Sequence, residues 1–150
     1  MPLQFVHPVQ RATHRIGLYL DGLEIERLTQ GEAHILALLA ESSPVTVGEL
    51  HRGLAHKRST LTSILDRLAE RNLITRQVGA ADRRTFHVGL TSNGRRLAGR
   101  VQRHLSDLEE RVRRQVRRAD LQGFAKVMAA IESEAARHRV QGNASSRRER

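Results

Sequence analysis

Residues 58–97 read RSTLTSILDRLAERNLITRQVGAADRRTFHVGLTSNGRRL, and within them the apolar period changes from that of a helix to that of a strand. Leu61, Ile64, Leu65 and Leu68 fall at helical spacing on one face, while Ser59, Thr60, Thr62, Ser63 and Arg67 lie away from it. The spacing predicts an amphipathic helix whose outer side is small and polar. It should end at Asn72, because asparagine tolerates the left-handed conformation that closes many helices. From Leu73 to Val78 and from Thr85 to Leu90 the pattern alternates, and GAADRR between the two runs supplies a turn, so a β-hairpin follows the helix.

Upstream of this stretch, Thr46-Val-Gly-Glu49 reads as a capping box that opens a short helix carrying Leu50 and Leu54. Ser42, Ser43 and Pro44 break the pattern before it. Thr29-Gln-Gly-Glu32 is a second capping box, ahead of Ile35, Leu36, Leu38 and Leu39 in a helix expected to end near Glu41. The first helix is expected from 8 to 27, with Val9, Ala12, Ile16, Leu20 and Leu23 along one side.

Downstream, Thr91 can cap a long helix whose stripe runs Leu97, Val101, Leu105, Leu108, Val112 and Val116. Over 92–118 such a helix would be about 40 Å long. No core in a small domain has that length, so the stripe calls for a coiled-coil partner within the chain or another subunit. Asp120 begins a last helix with Leu121, Phe124, Met128, Ile131 and Ala135 on one face. Gln141 to Arg150 is polar and basic and is expected to be disordered.

The 150 residues, 39% hydrophobic and 28% charged, suit a single ordinary domain. The formal charge of +10 favours a polyanionic partner. Residues 48–90 carry eight basic and four acidic side chains, and residues 91–118 carry nine and three. Only 3% of residues are aromatic, which is poor provision for stacking single-stranded bases, so duplex DNA is the better candidate. Cysteine is absent, which excludes disulfides, thiol catalysis and Cys-rich zinc sites. The N-terminus MPLQFVHPVQRATHR lacks a secretion signal, and the apolar stretch around AHILALLA is too short for a bilayer. A cytoplasmic, nucleoid-associated location is expected, with no membrane partner.

Helix, helix, polar-faced helix and hairpin, in that order, make a winged helix-turn-helix. The expected fold is thus mainly α with a small β-hairpin wing. Short side chains on a helix let its backbone approach the major groove, where Ser, Thr and Arg reach bases and phosphates. A cationic hairpin tip suits the narrow, strongly negative minor groove. The candidate DNA contacts are Lys57, Arg58, Ser59, Thr60, Thr62, Ser63, Arg67, Arg76, Asp82, Arg83 and Arg84. The alternative for Lys57 to Arg67 is a solvated helix face, as it is for Arg111, Arg113, Arg114, Arg117 and Arg118.

Residues 60–76 and 82–97 resemble the MarR family of winged-helix transcription regulators, whose wing runs Asp-x-Arg and then a strand ending Leu-Thr-x-x-Gly. Asp82, Arg84, Leu90, Thr91 and Gly94 match that pattern, and the likeness extends from about Leu28 to Leu97. The resemblance implies a homodimer on a pseudo-palindromic operator, with Arg84 in the minor groove, Asp82 bracing it, and a small-molecule effector. It also implies the division of the chain: an N-terminal dimerisation helix over 1–28, a winged module over 29–91, dimerisation helices over 92–140, and a basic tail over 141–150. The dimerisation residues would be Val9, Ile16, Leu97, Val101, Leu105, Leu108, Val112, Leu121, Phe124, Met128 and Ile131. An effector pocket would draw on His14, Leu18 and Tyr19.

Two positions depart from the family: Ser63 stands where many relatives have Arg or Lys, and Asn72 where they have Gly. Lack of cysteine also sets the chain apart from the peroxide-sensing branch. None of the eight histidines pairs at i, i+4, and no nucleophile elbow, phosphate loop or paired-carboxylate site is present, so no metal, cofactor or enzymatic activity is expected. Two rival readings remain at this level: a sequence-tolerant architectural DNA-binding protein, and a winged-helix module that binds protein.

Overall fold

The computed structural model describes residues 3–23, 25–79 and 85–145, with side chains described as far as Arg137. The elements in chain order are α1 (Val6–Asp21), α2 (Gln30–Ser42), β1 (Val45–Thr46), α3 (Val47–Leu54), α4 (Arg58–Glu70), β2 (Ile74–Val78), β3 (Phe86–Leu90), α5 (Ser92–Arg113) and α6 (Arg118–Ser145). Two compact units result, Met1–Ser106 and Asp107–Arg150.

Both capping boxes form. Thr29 Oγ1 accepts the Glu32 amide at 3.3 Å and Glu32 Oε2 accepts the Thr29 amide at 2.8 Å, which starts α2. The Thr46 and Glu49 pair does the same for α3 at 3.1 and 2.7 Å. At the other end of α4, the amides of Asn72 and Leu73 donate to the carbonyls of Ala69 and Leu68, and Asn72 has φ 54°. This is a Schellman closure with Asn in the left-handed position, as its residue type predicts.

β3 is the central strand of a three-stranded antiparallel sheet in the order β1-β3-β2. Ile74 lies opposite Leu90, Arg76 opposite Val88 and Val78 opposite Phe86, which is the hairpin read from the sequence. The third strand was not expected, because two residues, Val45 and Thr46, are too few to show a period. Thr91 then joins the hairpin to α5. Its hydroxyl donates to the Asn72 carbonyl at 2.7 Å and accepts the Gly94 amide at 2.9 Å. A Cβ at Gly94 would run into the Leu73 carbonyl, so only glycine lets α5 pass this close to the end of α4.

Three boundaries differ from expectation. α1 ends at Asp21 rather than 27, because Glu26 and Arg27 adopt φ 45° and 52° and the buried Ile25 packs inward from a loop. α5 stops at Arg113 rather than 118: Asp120 Oδ2 accepts the Arg117 amide at 2.9 Å and so opens a new helix. α6 continues through Ser145, so residues 141–145 are helical where an unstructured tail was expected.

The core of the first unit is built from Ile35, Leu36, Leu39, Leu61, Leu65, Leu68, Val88, Leu97 and Val101. Leu97 and Val101 were expected on a dimerisation seam, yet both are 0% exposed within the single chain. They belong to the protomer's interior, because the first turns of α5 pack on the winged module. Leu105 is half-buried against the same core. Val9, Leu108, Leu121, Met128 and Ile131 are half-buried, while Ile16, Val112 and Phe124 are exposed, Phe124 at 63%.

Candidate nucleic-acid interface

The outer side of α4 follows from its sequence period. Leu61, Ile64, Leu65 and Leu68 are buried, which leaves Arg58, Ser59, Thr60, Thr62, Ser63 and Arg67 exposed together with Lys57 just ahead of the helix. α4 lies close on α2, where a Cβ at Gly31 would come within 2.9 Å of the Ile64 side chain. Ala55, at φ 52°, turns the chain between α3 and α4. Lys57 is the N-cap residue and gives no side-chain cap hydrogen bond, so the first-turn amides of α4 receive no acceptor from that side chain.

The sequence-derived contacts separate into two groups. Lys57 and Arg58 make no ion pair among the described residues and are exposed. Arg67 is held within the fold: its Nε donates to Glu32 Oε1 at 3.0 Å and its Nη1 to Ser63 Oγ at 3.0 Å. Arg76 on β2 pairs with Asp66 of α4 at 2.7 Å. Asp82, Arg83 and Arg84, the expected wing tip, lie outside the described residues. The strands still converge there, since the Gly79 amide donates to the Thr85 carbonyl at 2.7 Å.

Sequence reasoning read Glu32 only as the acidic half of a cap. It is also a buried carboxylate, 3% exposed, with Arg67 at 3.0 Å and Arg71 at 3.5 Å. Burial alone would raise its pKa, but the Thr29 amide and the Arg67 guanidinium more than offset this and hold it below the ordinary carboxylate value. Nothing local marked that arrangement, since its partners lie 35 and 39 residues away. Glu49 is lowered as well, by the hydrogen bonds from Thr46, with no comparable enclosure.

A cavity of about 480 Å³ opens between the end of α1, the α1–α2 loop, α2 and α5, lined by Leu20, Asp21, Ile25, Glu26, Arg27, Leu28, Ala33 and Val101. The residues expected to form an effector pocket do not line it. His14 and Leu18 are exposed, and the Tyr19 hydroxyl donates to the His104 carbonyl at 3.2 Å. Among the described residues no group of His, Asp or Glu is placed to hold a metal ion, and no helix is long and apolar enough to cross a membrane.

The arrangement can place a short-chained helix face and two cations, unpaired among the described residues, against a polyanion. Residues 28–86 match the family model described as MarR family. The HTH-type transcriptional repressor MdtR of Bacillus subtilis (strain 168) is 33% identical over 99 residues, 61% of this chain and 64% of MdtR, so the chain's match spans just under two thirds of that relative's length. Among solved structures, the S. aureus MepR–DNA complex superposes with a TM-score of 0.76 at 19% identity, covering 89% of this chain and 99% of MepR. The PcaV transcriptional regulator from Streptomyces coelicolor, in complex with its natural ligand, gives 0.73 at 17% identity over 89% and 94%. The two structural likenesses establish the winged-helix fold, and over residues 28–86 the sequence is similar to the MarR family.

Proposed function

We propose that this chain is a sequence-specific, double-stranded-DNA-binding transcriptional regulator, a ligand-responsive repressor that acts as a homodimer on a pseudo-palindromic operator. The observation that carries the reading is the outer face of α4, where Lys57, Arg58, Ser59, Thr60, Thr62 and Ser63 are exposed on a helix that follows a helix-turn-helix bend. Short hydroxyl side chains at that position allow close approach to base edges, and the two cations neutralise phosphates. MdtR is named a repressor and MepR was solved on DNA, which supports the same role here. Exposed Val112 and Phe124 in the second unit, and separately Ile16 in the first, supply apolar side chains for a second copy to cover. Regulation rather than catalysis, and a place on the nucleoid in the cytoplasm, go with this role.

In the wing, Arg84 reads the minor groove, Asp82 orients it, and Arg83 contacts phosphate. The effector would bind at His14, Leu18 and Tyr19, His14 lining a cavity of about 470 Å³ on α1, with the cavity by the α1–α2 loop as the second place it could occupy. The test is a titration of the dimer against a duplex selected by the protein from a random pool, with random duplex as competitor. A regulator should prefer its selected site by roughly a thousandfold or more. Equal affinity for both would favour the architectural reading, and no salt-dependent binding to either would favour a protein-binding module.

A further inference from the structure

Among the described residues Glu32 is the one charged side chain that the core encloses. Capping α2 does not require that enclosure: Glu49 performs the same capping at α3 from an exposed position, with no ion pair to a guanidinium. Glu32 differs in gathering two arginines from the C-terminal end of α4, Arg67 at 3.0 Å and Arg71 at 3.5 Å. A buried carboxylate keeps its desolvation penalty when it loses a partner, so Arg67 swinging out to a phosphate would strip Glu32 of its nearer guanidinium and leave only Arg71 at 3.5 Å and the Thr29 amide. Ser63 fixes the same guanidinium from a second side at 3.0 Å.

Arg71 extends the connection. Its Nη2 donates to the Glu26 carbonyl at 2.6 Å and so holds a loop in which two successive non-glycine residues, Glu26 and Arg27, are left-handed. The Glu26 carboxylate in turn takes Arg96 at 3.2 Å and Arg100 at 3.9 Å, both from α5. One run of alternating charges thus ties α4 to α2, to the α1–α2 loop and to α5.

We propose that Glu32 is a positioning residue for DNA recognition: it holds Arg67 and Arg71 away from the phosphate backbone, uses them to fix the attitude of α4, and leaves Lys57 and Arg58 at the opposite end to neutralise phosphates. The proposal rests on the DNA-binding reading above. It separates two residue sets that look alike in sequence, cations that bind DNA and cations that aim the helix.

The experiment compares the full-length wild type with Arg58→Gln, Arg67→Gln and Glu32→Gln, measuring affinity for random duplex across salt and for the duplex that the wild type selects from a random pool. Arg58→Gln should flatten the log–log salt slope by about 0.9 per subunit. Arg67→Gln should leave the slope unchanged. Glu32→Gln should steepen it by about 0.9 per subunit as Arg67 is released, and should cut selectivity for the selected duplex at least tenfold. Adding Arg67→Gln to Glu32→Gln should restore the wild-type slope. If Arg67→Gln flattens the slope as Arg58→Gln does, Arg67 touches phosphate and the proposal is wrong. It is equally wrong if folded Glu32→Gln keeps both slope and selectivity, since Glu32 is then only a cap. Should Glu32→Gln fail to fold, comparison of Arg67→Gln with Arg58→Gln still tests whether Arg67 touches phosphate, and equal flattening by the two overturns the proposal. Absence of salt-dependent binding by the wild type would overturn the DNA reading itself, a result distinct from the other two.

Discussion

Replacing Phe124 by Ala tests the homodimer where the protomer itself has least to lose. Phe124 is 63% exposed in the single chain, so truncation there should hardly disturb the protomer. A phenylalanine buries about 200 Å² when fully covered. If a second copy covers the exposed part, about 125 Å² of apolar surface per protomer is at stake, or about 3 kcal/mol at roughly 25 cal/mol per Å². Both protomers lose it together, which gives an upper bound of about 6 kcal/mol and a rise in dimer Kd of about four decades. Leu97→Ala is the contrasting control: Leu97 is 0% exposed, so its loss leaves a cavity and should cost about 2–5 kcal/mol at any protein concentration. Sedimentation equilibrium, with thermal melts repeated over a hundredfold dilution, separates the two effects. An unchanged association constant for Phe124→Ala, or a wild type that sediments as a folded monomer at micromolar concentration, would refute the reasoning.

Four further outcomes are expected. Gly94→Ala drives a Cβ into the Leu73 carbonyl and should destabilise the protein by at least about 1–3 kcal/mol in urea denaturation; wild-type stability would show that the α5 junction yields freely. The Glu32 pKa is lower in the folded protein than its ordinary value of 4.5, so its contribution to stability is present above that pH and is lost as pH falls through the folded value. Melts from pH 7 to 3 should show an acid slope that Glu32→Gln reduces, and an identical slope in the variant would count against it. Arg84→Ala should weaken binding to the selected duplex by about 1–3 kcal/mol per subunit with little change in Tm, whereas Arg83→Ala should weaken selected and random duplex alike. Equal effects of the two would reduce the wing to an electrostatic anchor. Lys57→Ser supplies the missing cap and should stabilise the fold by about 0.5–1 kcal/mol while weakening DNA binding, and a stabilised variant with undiminished affinity would remove Lys57 from the interface.

What could be read from the sequence was what depends on neighbours in the chain. Thr29 with Glu32, Thr46 with Glu49, and Asn72 each settle a helix end through groups within five residues, and each was legible. The polar face of α4 was legible for the same reason, because the positions of Leu61, Ile64, Leu65 and Leu68 fix which side is outward. Periodicity does not say what lies against an apolar stripe, however. Leu97 and Val101 continue into Leu105 and Leu108 without a break in spacing, yet the first two are sealed in the protomer core. The same stripe hid the end of α5, since Val116 keeps the step of four across a junction that Asp120 sets by binding the Arg117 amide. The polar helix face points Arg67 toward DNA, whereas its ion pair with Glu32 could not be read from the sequence because only the packing of α2 on α4 brings the two together.

The distribution of charge along α4 gives this helix a direction. Its C-terminal end is tied inward: Arg67 and Arg71 meet Glu32, and Arg76 just beyond it meets Asp66. At its N-terminal end Lys57 and Arg58 have no ion pair among the described residues, and Lys57 offers no side-chain cap. α2 and α3 are both closed by complete capping boxes at the corresponding point. A helix start that lacks such a side-chain cap and carries two cations unpaired among the described residues adds their charge to the positive end of the helix dipole, which favours an anion there. Recognition helices of this motif contact base edges through their N-terminal residues, which on the proposed reading would be Ser59, Thr60, Thr62 and Ser63. The net charge of +10 is therefore a poor guide to the interface. On the proposed reading, the interface is marked by which cations the fold leaves unpaired among the described residues, and on this helix those are Lys57 and Arg58 at its N-terminal end.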